Sequence, residues 1–381
     1  MRFEELYSRW HKNRLTQVEA ADILGVSDRT FRRYIQDYES SGLEGIMDKR
    51  IERASRRKAP VDEVVRLQDL YRKEYMGWNT KHFHSWYKKD GGTRSYTWVK
   101  NSLQSAGLVK KLPSKGKHRR RRERSPMTGM MIHQDASTHL WVPGVYWDLV
   151  VTMDDATNEH YSMFFVDEEG TQSSFMGVKE TIESKGLFCS FYSDRGSHYW
   201  HTPKAGGKVD KVNLTQFGRA LKHLGINMIA AYSPEARGRS ERMFGTHQGR
   251  LPQELAKAGI KTKAEANEYL KNVYMPAFNA EFTVRPAEEA SAFVSTLGVN
   301  LDDILCEQHE RTVAKDNCVQ FETLRLQIPA NPLRMNFIKV KVRVHRYLNN
   351  QLAIFHGPRC LGKYNQKGEL ITQKEKAAEA A

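Results

Sequence analysis

The chain has 381 residues, enough for two or three domains with real cores. It carries 60 Lys+Arg against 45 Asp+Glu, a formal net charge of +15 with a pI near 9.5, so a polyanion is the first partner to expect. Four scattered cysteines (Cys189, Cys306, Cys318, Cys360) form no CxxC pair, no apolar run approaches the roughly 20 residues of a membrane span, and the N-terminus lacks a signal-peptide pattern. Disulfide scaffolds, structural zinc and membrane proteins are thereby disfavoured, and a soluble cytoplasmic protein is expected.

The charge is unevenly spread. Residues 1–125 hold 30 Lys+Arg and 16 Asp+Glu, a net +14, which leaves +1 for everything after them. This basic third reads as helical. Thr16-Gln17-Val18-Glu19 is a capping-box pattern that starts a helix with Val18, Ala21 and Leu24 inward, and Gly25 breaks it. Ser27 caps a second helix that turns Phe31, Ile35 and Tyr38 inward and leaves Arg29, Arg32, Arg33 and Gln36 outside. Two short helices joined by a glycine turn, the second basic, form a helix-turn-helix pattern over residues 1–48, with the second helix expected in the DNA major groove. After a basic connector at 49–61, helices expected from Asp62, Thr80 and Arg94-Ser95 make a second such unit over 62–109. Its last helix offers Arg94, Thr97, Lys100, Asn101 and Gln104 to DNA, while Trp78, Trp86 and Trp98 fall at apolar core positions.

Residues 110–126 form a basic linker broken by Pro113 and Gly116. Arg119, Arg120, Arg121 and Arg122 are expected to track phosphates, with steep salt dependence from counterion release. From Met130 the pattern switches to strands at 131–135, 145–153 and 161–166, a helix at 173–184, a strand at 187–192, a helix at 214–224 and a strand at 227–232. This order matches the RNase H-like fold, in which the first and fourth strands lie side by side.

Three acids stand out. Asp135 ends the first strand, Asp194 follows the fourth, and Glu241 sits on a helix after the Pro234 turn. Acids gathered at strand ends and on a neighbouring helix repel one another unless a cation holds them. An oxygen-rich, cysteine-free setting favours Mg²⁺ or Mn²⁺. Two such ions about 3.5–4 Å apart can activate an attacking oxygen and stabilise a leaving one at a phosphodiester. Asp154 and Asp155 rival Asp135, and Glu235 rivals Glu241, as six residues put the two glutamates about 240° apart on a helix.

The segments Met131-Ile132-His133-Gln134-Asp135, Tyr192-Ser193-Asp194-Arg195-Gly196 and Ser233-Pro234-Glu235-Ala236-Arg237-Gly238-Arg239-Ser240-Glu241-Arg242 resemble the DDE catalytic core of the integrase and transposase superfamily, most closely ISNCY-type insertion-sequence transposases. The resemblance spans about residues 10–365. It implies a core at 127–290 in which Asp135, Asp194 and Glu241 hold two Mg²⁺ (or Mn²⁺) ions, and it makes the Asp154-Asp155 stretch a supporting turn. It also implies double-stranded DNA partners (element ends and target), strand cleavage followed by strand transfer, and a homodimer or larger assembly. Arg237, Arg239 and Arg242 are expected on the DNA backbone, since a guanidinium is a poor base. Between Asp194 and Glu241 lie 46 residues, more than the spacing of about 35 usual in the family, with 198–213 reading as an inserted loop. The alternative function is a catalytically idle, transposase-derived DNA-binding regulator.

Helical signals continue over 262–278, and from Arg311 the chain is strand-rich. Lys339, Lys341 and Arg343 alternate with Val340, Val342 and Val344, giving a strand with one buried and one basic face, and Asn349-Asn350 supplies a hairpin turn. The resemblance makes residues 310–365 a small β-barrel touching DNA through the three basic residues. The tail at 366–381 is expected to be disordered.

Overall fold

The computed structural model describes residues 2–48, 58–111, 113, 123–204, 207–232, 234–330, 332 and 334–371, with backbone only at 234–237. Contacts divide the chain into two units: residues 1–74 with 101–108, and residues 75–100 with 109–381.

The first unit opens with a helix that the sequence pattern does not announce, α1 (Arg2–His11), which buries Phe3 and Leu6. Helix α2 (Gln17–Leu24) starts on the expected capping box, with Thr16 Oγ1 accepting from Glu19 N and the Glu19 carboxylate accepting from Thr16 N. Gly25 ends it at φ 79°, a left-handed position open to glycine. Ser27 caps α3 (Asp28–Ser41). Phe31 and Ile35 join Phe3, Leu6, Ala20 and Ala21 in one core with Tyr38 packed at its edge, and Arg29, Arg32, Arg33 and Gln36 face outward as their spacing requires. Val18 departs from expectation: it is 58% exposed because Ala20 and Ala21 supply the inward stripe. The short α4 (Leu43–Ile46) and α5 (Val61–Glu74) follow, α5 burying Leu67 and Tyr71.

The second unit takes in α6 (Thr80–Lys89) and the first half of α7 (Tyr96–Ser105), then β1 (Met131–Val142), β2 (Val145–Asp154), β3 (His160–Val166), α8 (Thr171–Lys185), β4 (Ser190–Ser193), α9 (Gln216–His223), β5 (Asn227–Ala230), α10 (Pro234–Gln248), α11 (Leu251–Lys257) and α12 (Lys263–Tyr269). A π-helical turn, Leu270–Tyr274, joins α12 to α13 (Met275–Phe282). The five strands form one sheet in the order β3-β2-β1-β4-β5. The β1–β2 and β2–β3 pairs are antiparallel, whereas β1–β4 and β4–β5 are parallel. The first and fourth strands are therefore neighbours, as the element order predicts for an RNase H-like sheet.

Alternation along the strands gives the sheet two apolar faces. On one, Ile132 and Phe191 meet Phe175 and Val178 of α8 and Phe217 and Leu221 of α9. On the other, Trp141, Leu149, Val151, Met153, Met163 and Phe165 meet Met243 and Phe244 of α10, Leu251 and Leu255 of α11, and Leu270, Tyr274 and Phe278. Helix α6 docks on α11. The Glu254 carboxylate lies 2.6 Å from His82 Nε2 and accepts from Trp86 Nε1 at 2.9 Å and from Tyr269 Oη at 3.0 Å. Lys257 Nζ lies 4.2 Å from the ring centroids of both Tyr75 and Trp86 and bonds Tyr75 Oη. Among the described residues, no helix is long and apolar enough to cross a membrane.

The C-terminal part departs from expectation. After α14 (Leu301–Ile304) come β6 (Glu307–Thr312), β7 (Cys318–Phe321), β8 (Leu324–Gln327), β9 (Lys341–Arg346), β10 (Leu352–His356) and β11 (Arg359–Tyr364). The described strands make an open four-stranded sheet, β11-β10-β9-β6, and a separate β7–β8 hairpin, with no closed barrel. Closure is unnecessary because Val319, Phe321 and Leu326 of the hairpin cover Val342, Val344, Ile354 and Tyr364 of the sheet in one core. Lys339 stands outside β9 in a left-handed turn at φ 61°. Asn350, at φ 61°, turns β9 into β10 as expected. Part of the expected tail is ordered, since Ile371 N donates to Lys363 O; residues 372–381 lie outside the described residues.

Two buried features give tests. Gly177 of α8 faces Gln134 and Thr152 so closely that an added Cβ would stand 2.3 Å from Gln134 Nε2 and 2.6 Å from Thr152 Oγ1. Gly177→Ala should destabilise the protein by about 1–3 kcal/mol, read from urea unfolding. A one-directional chain of hydrogen bonds also crosses the core: His160 Nδ1 donates to Asn158 O (2.9 Å), so His160 Nε2 accepts from His247 Nε2 (3.0 Å), and His247 Nδ1 accepts from Tyr274 Oη (3.1 Å). Burial pushes His160 down to about 4; His247 is also pushed well below its ordinary value by burial, His160 and Arg250. Both are neutral when folded and take up protons more readily when unfolded. Their stabilisation is full above about pH 6.5 and is lost as pH falls toward 4. The thermal midpoint should drop across that window, and less steeply in His160→Gln.

Candidate active site

Asp135 lies inside β1 rather than at its end, because β1 continues to Val142 as one arm of the hairpin with β2. What stops near Asp135 is the parallel ladder to β4, whose last pair is His133 with Tyr192. Alternation puts Asp135 on the His133 face and Asp194 on the Tyr192 face. The two carboxylates therefore stand in step, one pleat beyond the last rung, on the face covered by α10. Both are half-buried. Asp135 Oδ1 accepts from Ala136 N (3.1 Å), and Asp194 Oδ1 accepts from Gly196 N (2.8 Å). Burial chiefly, and then the charges of Glu169, Asp135 and Asp194, drive the nearby Tyr199 phenol well above its ordinary pKa.

The segment read as an inserted loop begins with core residues. Tyr199 and Trp200 are buried with Phe191 and Phe217. Tyr199 Oη donates to Gln134 Oε1 (2.9 Å) and lies 3.2 Å from Glu169 Oε1, while Trp200 Nε1 donates to Ser193 Oγ (3.1 Å). One aromatic pair thus ties the Asp194 loop to the residue beside Asp135 and to the residue before Asp194. His198 Nε2 comes within 3.4 Å of Glu169. Sequence reasoning does not single out Tyr199, Trp200 or Glu169; two adjacent aromatics in an otherwise polar stretch are the available signal.

Glu241 is exposed on α10. The buried stripe of that helix is Ser240, Met243, Phe244 and His247. At about 100° per residue, Arg239 and Glu241 flank this stripe on opposite edges. Gln248, seven residues after Glu241 and on its edge, donates to Ser137 Oγ of β1 at 3.0 Å. The edge bearing Glu241 therefore faces the strand that carries Asp135. Among the described residues no three His, Cys, Asp or Glu side chains converge as a metal-holding group. The donors at Asp135, Asp194 and Glu241 are all carboxylate oxygens, the set suited to a hard divalent cation.

The rival acids are structural. Asp154 is fully buried and accepts from Gly129 N, Ala156 N and Thr157 N, and burial raises its pKa despite those donors. Asp155 is also fully buried and binds His133 Nε2 (2.7 Å), Ser125 N (2.8 Å) and Arg239 Nη1. Burial works to raise its pKa, but the bond and charge of His133, the Ser125 N–H and the Arg239 charge hold it well below the carboxylate range. Arg124 Nη1 donates to Asp155 O at 3.0 Å, so the end of the linker is anchored here.

The expected DNA-contacting residues fare unevenly. Arg29, Arg32 and Arg33 point outward, Arg32 pairing with Asp28 at 2.8 Å. The Arg94 guanidinium lies 5.1 Å from the Trp98 ring centroid, Lys100 is half-buried and Asn101 exposed. Arg119, Arg120, Arg121 and Arg122, and the side chain of Arg237, lie outside the described residues. Arg242 is exposed, whereas Arg239 turns inward to Asp155. Lys341 and Arg343 occupy the outer face of β9, but Lys341 pairs with Glu310 at 2.6 Å, so that face is not purely basic.

Asp155→Ala would leave His133 and Arg239 without their buried partner, and should cost about 3–5 kcal/mol, measured as a lowered denaturant midpoint.

A family model described as winged helix-turn helix matches residues 9–73. No strand occurs among the described residues of that stretch. The chain is 29% identical over 359 residues to "Putative transposase y4bF" of Sinorhizobium fredii, covering 92% of this chain and 77% of that protein. It is 30% identical over 161 residues to "Transposase for insertion sequence IS1202" of Streptococcus pneumoniae, covering 42% of this chain and 34% of that one. The HTLV-2 integrase catalytic core domain in complex with magnesium aligns over 38% of this chain and 84% of its own at 14% identity, with a TM-score of 0.30, too low to bear on fold or function. Both curated relatives are transposases, and the first is aligned along nearly the whole of this chain.

Proposed function

We propose that this chain is a DNA transposase of the ISNCY insertion-sequence type that binds the ends of its element and carries out strand cleavage and strand transfer with Asp135, Asp194 and Glu241. The observation that carries the reading is the β1–β4 register, which sets Asp135 beside Asp194 on the sheet face covered by α10. The similarity to two transposases supports the substrate class. The three carboxylates fit two Mg²⁺ or Mn²⁺ ions, which when bound would activate the attacking oxygen and stabilise the leaving one. The protein's own part is to hold the acids at fixed spacing. Tyr199 and Trp200 brace the Asp194 loop, and α10 brings Glu241 over the sheet.

Water is the nucleophile for cleavage at the element's 3′ end, and the freed 3′ hydroxyl then attacks target DNA. Arg29, Arg32 and Arg33 on α3 read the end sequence from the major groove, with Arg94, Lys100 and Asn101 as a second contact set. Arg119 to Arg122, Arg237, Arg242, Lys339, Lys341 and Arg343 neutralise phosphates. Two ends must be processed together, so the working form is a homodimer or larger.

Asp135→Asn, Asp194→Asn and Glu241→Gln should each abolish Mg²⁺-dependent cleavage and joining of end-sequence duplexes, with DNA affinity within about threefold of the parent because they contact no phosphate in its absence. Cleavage surviving in all three would sink the assignment. DNA binding without cleavage by the parent under Mg²⁺ or Mn²⁺ would favour the idle regulator. Arg32→Ala with Arg33→Ala should weaken binding and lower the salt slope by about one for every phosphate that is no longer neutralised.

A further inference from the structure

Arg239 lies two residues before Glu241, within a basic run assigned to the DNA backbone by its sequence, yet its side chain is only 18% exposed. Its Nη1 donates to the Asp155 carboxylate and to Asp155 O at 3.2 Å. Asp155 also binds His133, two residues before Asp135 and on the same face of β1. One fully buried carboxylate thus joins the strand of the first acid to the helix of the third. The ring of His133 stacks 4.7 Å from Tyr192, two residues before Asp194, which brings the strand of the second acid into the same chain of contacts.

The geometry points to Arg239 as a positioning residue: its pair with Asp155 sets the roll of α10, and with it the approach of Glu241 to Asp135. A helix lying on a sheet through an apolar stripe can still rotate about its axis. The stripe here is Ser240, Met243, Phe244 and His247. Its two edges carry polar pins, Arg239 to Asp155 on one and Gln248 to Ser137 on the other. Glu241 shares the Gln248 edge but sits nearly two turns before that pin, in the half of the helix that Arg239 holds. Releasing Arg239 leaves the turn bearing Glu241 fixed only by apolar contacts, which have no direction of their own. Arg suits this task better than Lys because its planar fork reaches the Asp155 carboxylate and main-chain oxygen together.

This inference rests on the proposed function for its catalytic readout, and the full-length chain tests it. Arg239→Gln should lower the saturating cleavage rate on an end-sequence duplex by about tenfold, the effect of losing one charge-assisted hydrogen bond. DNA affinity and its salt slope should stay unchanged. Backbone amides of 239–244 should exchange hydrogen about tenfold faster without DNA or metal, while those of β1 keep their parent rates. Arg239→Lys should recover part of both. Weaker DNA binding with a lower salt slope, at parent saturating rate and parent exchange, would overturn the inference and make Arg239 a phosphate contact. If Arg239→Gln unfolds, Gln248→Ala supplies the second arm. It removes the other pin, and parent exchange and rate in that variant would equally overturn the roll mechanism. If Glu241→Gln retains cleavage, the site assignment fails, while the exchange data still judge the mounting of α10.

Discussion

Everything in the catalytic half depends on a ladder of three residue pairs between β1 and β4. Parallel neighbours need a crossover connection, and α8 provides it behind the sheet, packing Phe175 and Val178 onto Ile132 and Phe191. The ladder is short because β4 has only four residues. Shortness is what makes it useful. Where β4 stops, its chain leaves the sheet, and Asp194 stands at an open edge beside a strand that continues. A longer β4 would carry Asp194 inside a paired ladder, where a polyanion could not approach it.

The sheet is legible in the sequence because each strand carries the β-branched and aromatic residues that two packed faces demand, and the helices between carry a distinct period. The capping box at Thr16–Glu19 and the glycine at 25 define α2 to the residue for the same reason: local hydrogen bonds and a local backbone preference decide them. Long-range events are not legible. Val18 reads as inward, but two alanines take the core side. Tyr199 and Trp200 are hidden in a segment whose glycines and lysines read as surface loop. The C-terminal strands alternate as expected, but whether they close a barrel depends on what covers the sheet, and here a hairpin does. Arg239 reads with its basic neighbours, and only the three-dimensional position of Asp155 separates it from them. Residues 114–122 lie outside the described residues, so the basic linker stays a sequence-based expectation.

Charge and chemistry are partitioned along the chain. The excess positive charge sits before residue 126, and the acid-bearing half is nearly neutral. A strongly basic catalytic surface would hold any DNA indiscriminately, and its cations would compete with metal for the carboxylates. Keeping the cations upstream leaves long-range attraction to the helical segments, so the half with Asp135 and Asp194 meets DNA that other residues have already bound. The arginines that do lie in the core half are partly spent on internal pairs, as Arg239 and Arg250 are on Asp155 and Glu281.

The docking of α6 on α11 bears on where this protein can be cut. The charge run at 110–126 looks like the natural boundary between a reading part and a reacting part. The fold places another one earlier, since Glu254 takes three of its hydrogen bonds partly from His82 and Trp86, and Lys257 lies between Tyr75 and Trp86. A fragment beginning at the linker would expose the α11 surface and strand a buried carboxylate without two of its donors. Evolution would meet the same obstacle: a recombination event that exchanged DNA-reading modules at the linker would break the core, whereas one that carried 75–100 along with the core would not.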